Sequence, residues 1–214
     1  MITFVTSFSE RYYEAIAQYS LPTWSLLEGR KIAMIDRGFS PALGDIEVIN
    51  SDIAFDPADP YFNTTGKKLK FWRKGMCFAW AAKNVTTDYL VWLDSDVKIF
   101  SSPDFEKFKP NSDTLATMIS ADHRHAETGF VFLNRKHKDF EKWINEYQNG
   151  WYNGLIDKLP RPWDGHMFYE TIKTYPHVNL AKHTERDPQG FEDTDLLEYM
   201  FHYSGKHRKE MIKG

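Results

Sequence analysis

The stretch Tyr89-Leu90-Val91-Trp92-Leu93 is apolar without a break and runs directly into Asp94-Ser95-Asp96. A strand with no polar alternation has to be covered on both faces, the condition of a strand inside a largely parallel α/β sheet. It leaves two carboxylates one residue apart at its carboxyl end. Buried and unpaired, these acids would repel each other and lose hydration. A hard divalent cation, Mn²⁺ or Mg²⁺, answers both costs: it prefers oxygen ligands, keeps open positions and can bridge the acids to the oxygens of a diphosphate. The plainer reading is a solvated acidic turn. The strand in front of the triplet argues against it, because ligands of such sheets bind at strand carboxyl ends.

The rest of the chain supports the same architecture. Ile2 to Phe8 is a β-rich run, followed by Ser9-Glu10-Arg11 and a periodic stretch to Tyr19 that predicts a capped helix. Short strands are expected at Lys31 to Ile35 and Ile46 to Ile49, and a Pro-containing loop from Asp52 to Gly66. Apolar residues at three- and four-residue steps predict a helix from Lys67 to Lys83. Strands are expected at Leu115 to Ile119 and Gly129 to Leu133, and helices at Lys138 to Tyr147 and Trp163 to Thr174. Alternating β and α elements predict an α/β fold: an open, mostly parallel sheet flanked by helices. At 214 residues the chain is expected to form a single domain, 1–214.

Composition excludes several classes. A formal charge of -3 provides no global basic field for nucleic acid. The lone Cys77 forms no internal disulfide. No run approaches the ~20 apolar residues of a membrane span, and the N-terminus reads as a strand instead of a signal peptide. The expected location is the cytoplasm, or the host cytoplasm if the source is viral. The residues set no oligomeric state.

Four separated motifs in order resemble the GT-A glycosyltransferases, and among them the retaining enzymes of the glycogenin and lipopolysaccharide galactosyltransferase type. They are Phe4-Val5-Thr6-Ser7-Phe8-Ser9 with Tyr13, Arg73-Lys74 on the helix, Asp94-Ser95-Asp96, and His202-Tyr203-Ser204-Gly205 before a basic cluster. The resemblance implies a GT-A fold and a nucleotide-sugar donor, a UDP-sugar being favoured. By it, Thr6, Ser7 and Tyr13 contact the nucleoside, and Lys74 reaches the donor's phosphates or sugar. Asp94, Asp96 and His202 hold the metal, with Asp94 and Ser95 also on the donor. Gly205, Lys206 and Arg208 take the diphosphate, although the family's Lys-Pro-Trp is missing. Glu127 and Thr128, before Gly129, would touch the transferred sugar, and Asp164 would bind its hydroxyls. Glu127 stands where an asparagine is commoner, and Gly165 where the family has glutamine.

The implied reaction is attack of an acceptor hydroxyl on the anomeric carbon, with configuration retained. An inverting enzyme would instead need a base, for which Asp164 and Glu127 are the candidates. A glycan acceptor is favoured. The basic groups around His123-Arg124-His125 and Lys136-His137-Lys138 leave room for a hydroxylated phage DNA base. Two alternatives remain open on the residues alone. One is a haloacid-dehalogenase-like phosphatase using Asp94 as nucleophile and Asp96 as acid/base. The other is an inactive nucleotide-sugar-binding domain.

Overall fold

The computed structural model describes residues 1–59, 61–63, 65–121, 125–183, 190–204 and 207. Among these, nine strands occur: β1 (Ile2–Phe8), β2 (Arg30–Ile35), β3 (Glu47–Asn50), β4 (Tyr89–Leu93), β5 (Val97–Ile99), β6 (Ala116–Ala121), β7 (His125–Asn134), β8 (His177–Asn179) and β9 (Met200–His202). Seven form one sheet in the order β3-β2-β1-β4-β7-β6-β8, and β5 pairs with β9 in a separate ribbon. β3, β2, β1 and β4 are parallel to one another; β7 is antiparallel to both β4 and β6, and β8 is parallel to β6. The sheet is therefore mostly parallel, as expected, and β7 makes it mixed.

Both faces of the central strands are covered, as the apolar run of β4 requires. Leu90 and Trp92 belong to one core and Val91 and Leu93 to the other, and on β1 Val5 and Phe4 divide the same way. The first core is closed by the long helices α3 (Gly66–Asn84), α4 (Phe140–Tyr152) and α5 (Asp164–Ile172), which follow the short α1 (Glu10–Tyr12) and α2 (Gln18–Ser20). Phe78 of α3 is its hub. Its ring meets Trp92 at 5.6 Å, Tyr147 at 5.3 Å and Phe168 at 5.8 Å, all edge-on, the geometry that aromatic quadrupoles favour. Trp143 and Trp151 are fully buried in this core.

Several elements differ from expectation. Ser9 does cap a helix, its Oγ accepting from Tyr12 N at 3.3 Å. That helix is broken, however, into α1, a π turn at Tyr13–Ala17, α2 and a 3-10 turn at Leu21–Leu26. Adjacent Tyr12 and Tyr13 have different surroundings: Tyr12 donates to Asp96, and Tyr13 packs on Phe8 and Phe39. β7 begins at His125, four residues before the expected start, and β5, β8 and β9 are three-residue strands too short to show a period.

Candidate active site

β4 ends at Leu93, and the chain turns at once: Asp94 N donates to Gly129 O at 3.1 Å and Val97 N to Asp94 O at 2.9 Å. Asp94 is left partly open to solvent while Asp96 is buried. Ser95 also lines the cavity described below, and its backbone carbonyl accepts from Ser20 Oγ, which ties the turn to the N-terminal helical segment.

His202 lies 106 positions from Asp96 in the chain, and the β5-β9 ribbon joins them. Val97 is registered opposite His202, and Tyr203 N donates to Asp96 O at 3.0 Å. The imidazole Nε2 then lies 3.0 Å from Asp96 Oδ1 and 3.6 Å from Asp94 Oδ2. One ligand atom from each of Asp94, Asp96 and His202 falls within 4.8 Å of the others. Two carboxylates and an imidazole at this spacing fit a Mn²⁺ or Mg²⁺ ion. The ring is steadied from behind by Glu127, whose Oε1 is 3.3 Å from Nδ1 and also accepts from Gly129 N at 2.9 Å. A carboxylate behind a ligating histidine fixes which ring nitrogen faces the metal.

Burial pushes the Asp94 carboxyl above its ordinary value, with Asp96 and Asp164 adding to the rise against Lys74 and His202. Burial would lower His202, but Asp96 and Glu127 carry it well above the usual histidine range. Burial would likewise raise Glu127, yet His202, Gly129 N and Lys74 bring it down to about 2. These groups form one electrostatic unit.

Lys74 faces the cluster from α3. Its Nζ is 2.7 Å from Asp94 Oδ1, 2.6 Å from Asp164 Oδ2 and 3.1 Å from Thr128 Oγ1, and Thr128 donates to Asp164 at 2.6 Å. Against its own burial, Asp164 and Asp94 raise the lysine further, so it is fully cationic. Thr128 and Gly129 reach this corner because β7 bulges: β6 pairs Met118 with Val131 and then Ile119 with Glu127, passing over the three residues between. Bulges of this kind re-aim side chains. Asp164 is the first residue of α5 and bonds across the site; Trp163, not Asp164, holds the N-cap position. Gly165, the departure from the family's glutamine, has a steric reason: a Cβ there would lie 2.3 Å from Ala126 O, so only glycine lets α5 approach β7 this closely.

The groups line one cavity of about 900 Å³, whose walls include Ser7, Tyr12, Asp36, Arg73, Trp163 and Ser204. Of the expected nucleoside contacts, Ser7 faces this cavity. Thr6 is fully buried within β1, and Tyr13 packs on Phe8 and Phe39 at ring distances of 5.8 and 5.3 Å; neither is part of the wall. Tyr12 lines the wall and donates to Asp96 Oδ2 at 2.5 Å. Neighbouring side chains on a helical segment point roughly 100° apart, and which of the two adjacent tyrosines faces inward is set by how the segment packs, which the linear order does not show. Gly205, Lys206 and Arg208, together with His123 and Arg124, lie outside the described residues.

No protein-family model matches the sequence, and no curated protein matches it. Solved structures do. A glycosyltransferase involved in glycosylation of the major capsid of PBCV-1 is similar with a TM-score of 0.58 at 14% identity, over 99% of this chain and 97% of that one. The galactosyltransferase LgtC, in complex with donor and acceptor sugar analogs, gives 0.61 at 12% identity over 99% and 94%. Mouse xyloside xylosyltransferase 1 gives 0.51 at 10% over 85% and 86%. The chain has the GT-A glycosyltransferase fold, with a candidate metal site at Asp94, Asp96 and His202. No helix among the described residues is long and apolar enough to cross a membrane.

Proposed function

We propose that the protein transfers a sugar from a nucleotide-diphosphate sugar, a UDP-sugar being favoured, to an acceptor hydroxyl. The observation that carries this is the meeting of Asp94, Asp96 and His202 on one side of the cavity with Lys74, Thr128 and Asp164 on the other. The first three would hold Mn²⁺ or Mg²⁺, which when bound neutralises charge developing on the departing diphosphate. Lys74 stands where it can donate to the donor's phosphates or sugar. Asp164 and Thr128 offer acceptors to hydroxyls of the transferred sugar, and their mutual bond holds them in place. Glu127 keeps His202 oriented. Walls contributed by Tyr12, Phe71 and Trp163 displace water that would otherwise hydrolyse the donor. The downstream Gly205, Lys206 and Arg208 are assigned to the diphosphate on the motif alone.

Retention is the favoured outcome. An inverting route needs a carboxylate base beside the acceptor, and one oxygen of each candidate is already engaged: Glu127 Oε1 with Gly129 and His202, Asp164 Oδ2 with Lys74 and Thr128. In the retaining route the acceptor hydroxyl attacks from the face the diphosphate leaves, and its proton passes to a leaving phosphate oxygen. A glycan acceptor is preferred over a hydroxylated nucleic-acid base, given the negative net charge. With one buried cysteine and no disulfide, the chain suits the cytoplasm, or a host cytoplasm if viral.

The test is calorimetric binding and donor hydrolysis with UDP, GDP and their sugars, with Mn²⁺ or with EDTA. Binding that needs the ion, and turnover abolished in Asp96→Ala, is expected. Equal binding in EDTA, or undiminished turnover in that variant, would overturn the proposal. Hydrolysis of phosphate monoesters that is lost in Asp94→Asn would instead favour the phosphatase.

A further inference from the structure

Beyond Lys74 and Asp164 the cavity wall changes character. It continues through Leu69, Lys70 and Phe71 of α3 and Trp163, just ahead of α5. Lys70 precedes Lys74 by four residues, so the two share a helix face about 6 Å apart. Its ammonium lies 5.4 Å from the centre of the Tyr12 ring and 5.4 Å from that of Phe71, and Phe71 meets Trp163 at 6.5 Å. Arg161 closes this end. Its guanidinium sits over the Trp163 indole at 4.5 Å, and Trp163 N donates to Arg161 O at 2.8 Å across Pro162. A three-residue turn with proline at its centre is stiff, so the cation is held beside the ring before any ligand arrives. Tyr12, Phe71 and Trp163 are half-buried, while Lys70 and Arg161 are exposed. The result is an aromatic strip that starts at Tyr12, bonded to Asp96, and ends at Trp163, next to Asp164, with two cations along it.

In a transfer with retention the acceptor approaches the anomeric carbon from the side of the departing diphosphate, beside the ring that Thr128 and Asp164 would hold. One turn of α3 separates Lys74, at that ring, from Lys70, about the length of a further sugar. We propose that the acceptor is an anionic saccharide, carrying a carboxylate or a phosphate near the accepting hydroxyl, which lies along Phe71 and Trp163 with its charge against Lys70 and Arg161. The inference rests on the nucleotide-sugar reading of the site and adds the class of acceptor. Aromatic side chains give the CH face of a sugar an apolar surface, and a cation gives an anion charge-assisted bonds that a neutral sugar cannot match. Side-chain amides, which both donate to and accept from neutral hydroxyls, are missing among the described residues of the cavity wall. Nucleic acid fits this strip less well, since two cations fall short of the several phosphate contacts that its binding uses and the chain's net charge is -3.

Binding of the full chain, with UDP and Mn²⁺, to immobilised glycans tests this. The array pairs neutral cores with the same cores carrying a carboxylate or a phosphate, and includes a single-stranded DNA oligonucleotide. Wild type should bind the charged form of a core about ten-fold more tightly than the neutral form, the size of one hydrogen bond to a charged group. Whether carboxylated or phosphorylated cores lead identifies the anion. Lys70→Gln and Arg161→Gln should each shrink that ratio, Lys70→Arg should keep it, and UDP affinity by calorimetry should stay unchanged in all three. Equal binding of charged and neutral cores, no binding to any glycan, or a ratio that survives both glutamine variants overturns the inference. So does a fall in UDP affinity in those variants, which would assign the cations to the donor, or a preference for the oligonucleotide over every glycan. If wild type does not bind UDP with Mn²⁺, it is the nucleotide-sugar reading itself that falls.

Discussion

Gly129 is the seat of His202. A Cβ at position 129 would lie 2.5 Å from the imidazole Nδ1 and 2.8 Å from Cε1, closer than any real contact, and the same glycine's N–H holds the Glu127 carboxylate that faces that ring. One missing methyl group thus sets how near β7 the histidine can come, and with it the distance from Nε2 to Asp96.

Gly129→Ala should therefore push His202 away from the two acids without unfolding the sheet. Mn²⁺ affinity in the presence of UDP is expected to fall roughly 10- to 100-fold, the usual range for disturbing a ligand's support. Calorimetry reads the loss, and an unchanged far-ultraviolet circular dichroism spectrum shows that the fold is kept. Unaltered Mn²⁺ binding would remove His202 from the ligand set.

Tyr12→Phe deletes only the hydroxyl that donates to Asp96 at 2.5 Å. If Tyr12 orients that carboxylate, the variant should lose Mn²⁺ affinity while Tyr13→Phe, altered within the Phe8 and Phe39 packing, leaves it alone. The comparison needs no assumption about substrate. Equal effects from the two variants would show that the hydroxyl has no special role.

Lys74 stands between two carboxylates, Asp94 and Asp164. Lys74→Met keeps the length of the side chain but removes the cation shared by the two acids, leaving Asp94 only His202 at 3.6 Å. Breaking a buried pair from one side costs about 3–5 kcal/mol. For a chain of this size that is a drop in Tm of roughly 6–20 °C by calorimetric scanning. Lys74→Met combined with Asp164→Asn should recover part of the loss; no recovery would mean the lysine stabilises by packing alone.

Burial pushes the Cys77 thiol from 9.0 up to about 12, with the Ser7 hydrogen bond and Arg73 only partly opposing. The native protein should then react very slowly with iodoacetamide at pH 8, and rapidly once unfolded in urea, as followed by mass spectrometry. Because the folded value lies above the unfolded one, the thiol's contribution to stability is complete below pH 9 and is lost as pH rises from there toward 12. Cys77→Ala should flatten the alkaline limb of a stability profile. A native thiol as reactive as the unfolded one would contradict the burial.

Gly165→Gln restores the residue expected from the GT-A resemblance, and should damage the protein instead of improving it. The new Cβ meets the Ala126 carbonyl oxygen at 2.3 Å, a backbone atom that moves only if β7 or α5 moves. Destabilisation of about 1–3 kcal/mol by urea titration is expected from overpacking. A neutral result would show that α5 shifts freely at its start.

The central strand and its acids were legible in the residues because burial on two faces leaves an unbroken apolar run, and that pattern needs no knowledge of partners. The helix over Gly66–Asn84 was legible for the same reason, its apolar period surviving in the linear order. What the chain could not display in one dimension was decided by long-range pairing. The β5-β9 register brings His202 to Asp96, and neither three-residue strand carries a period of its own. The β7 bulge aims Thr128 and seats His202 on Gly129, packing of the N-terminal helical segment turns Tyr12 and not Tyr13 to the cavity, and the close approach of α5 accounts for Gly165. Local hydrophobic order determines which elements form, since burial acts on each segment's own side chains; the site is decided only when strands distant in sequence pair, since a register is a property of two segments and is written in neither alone.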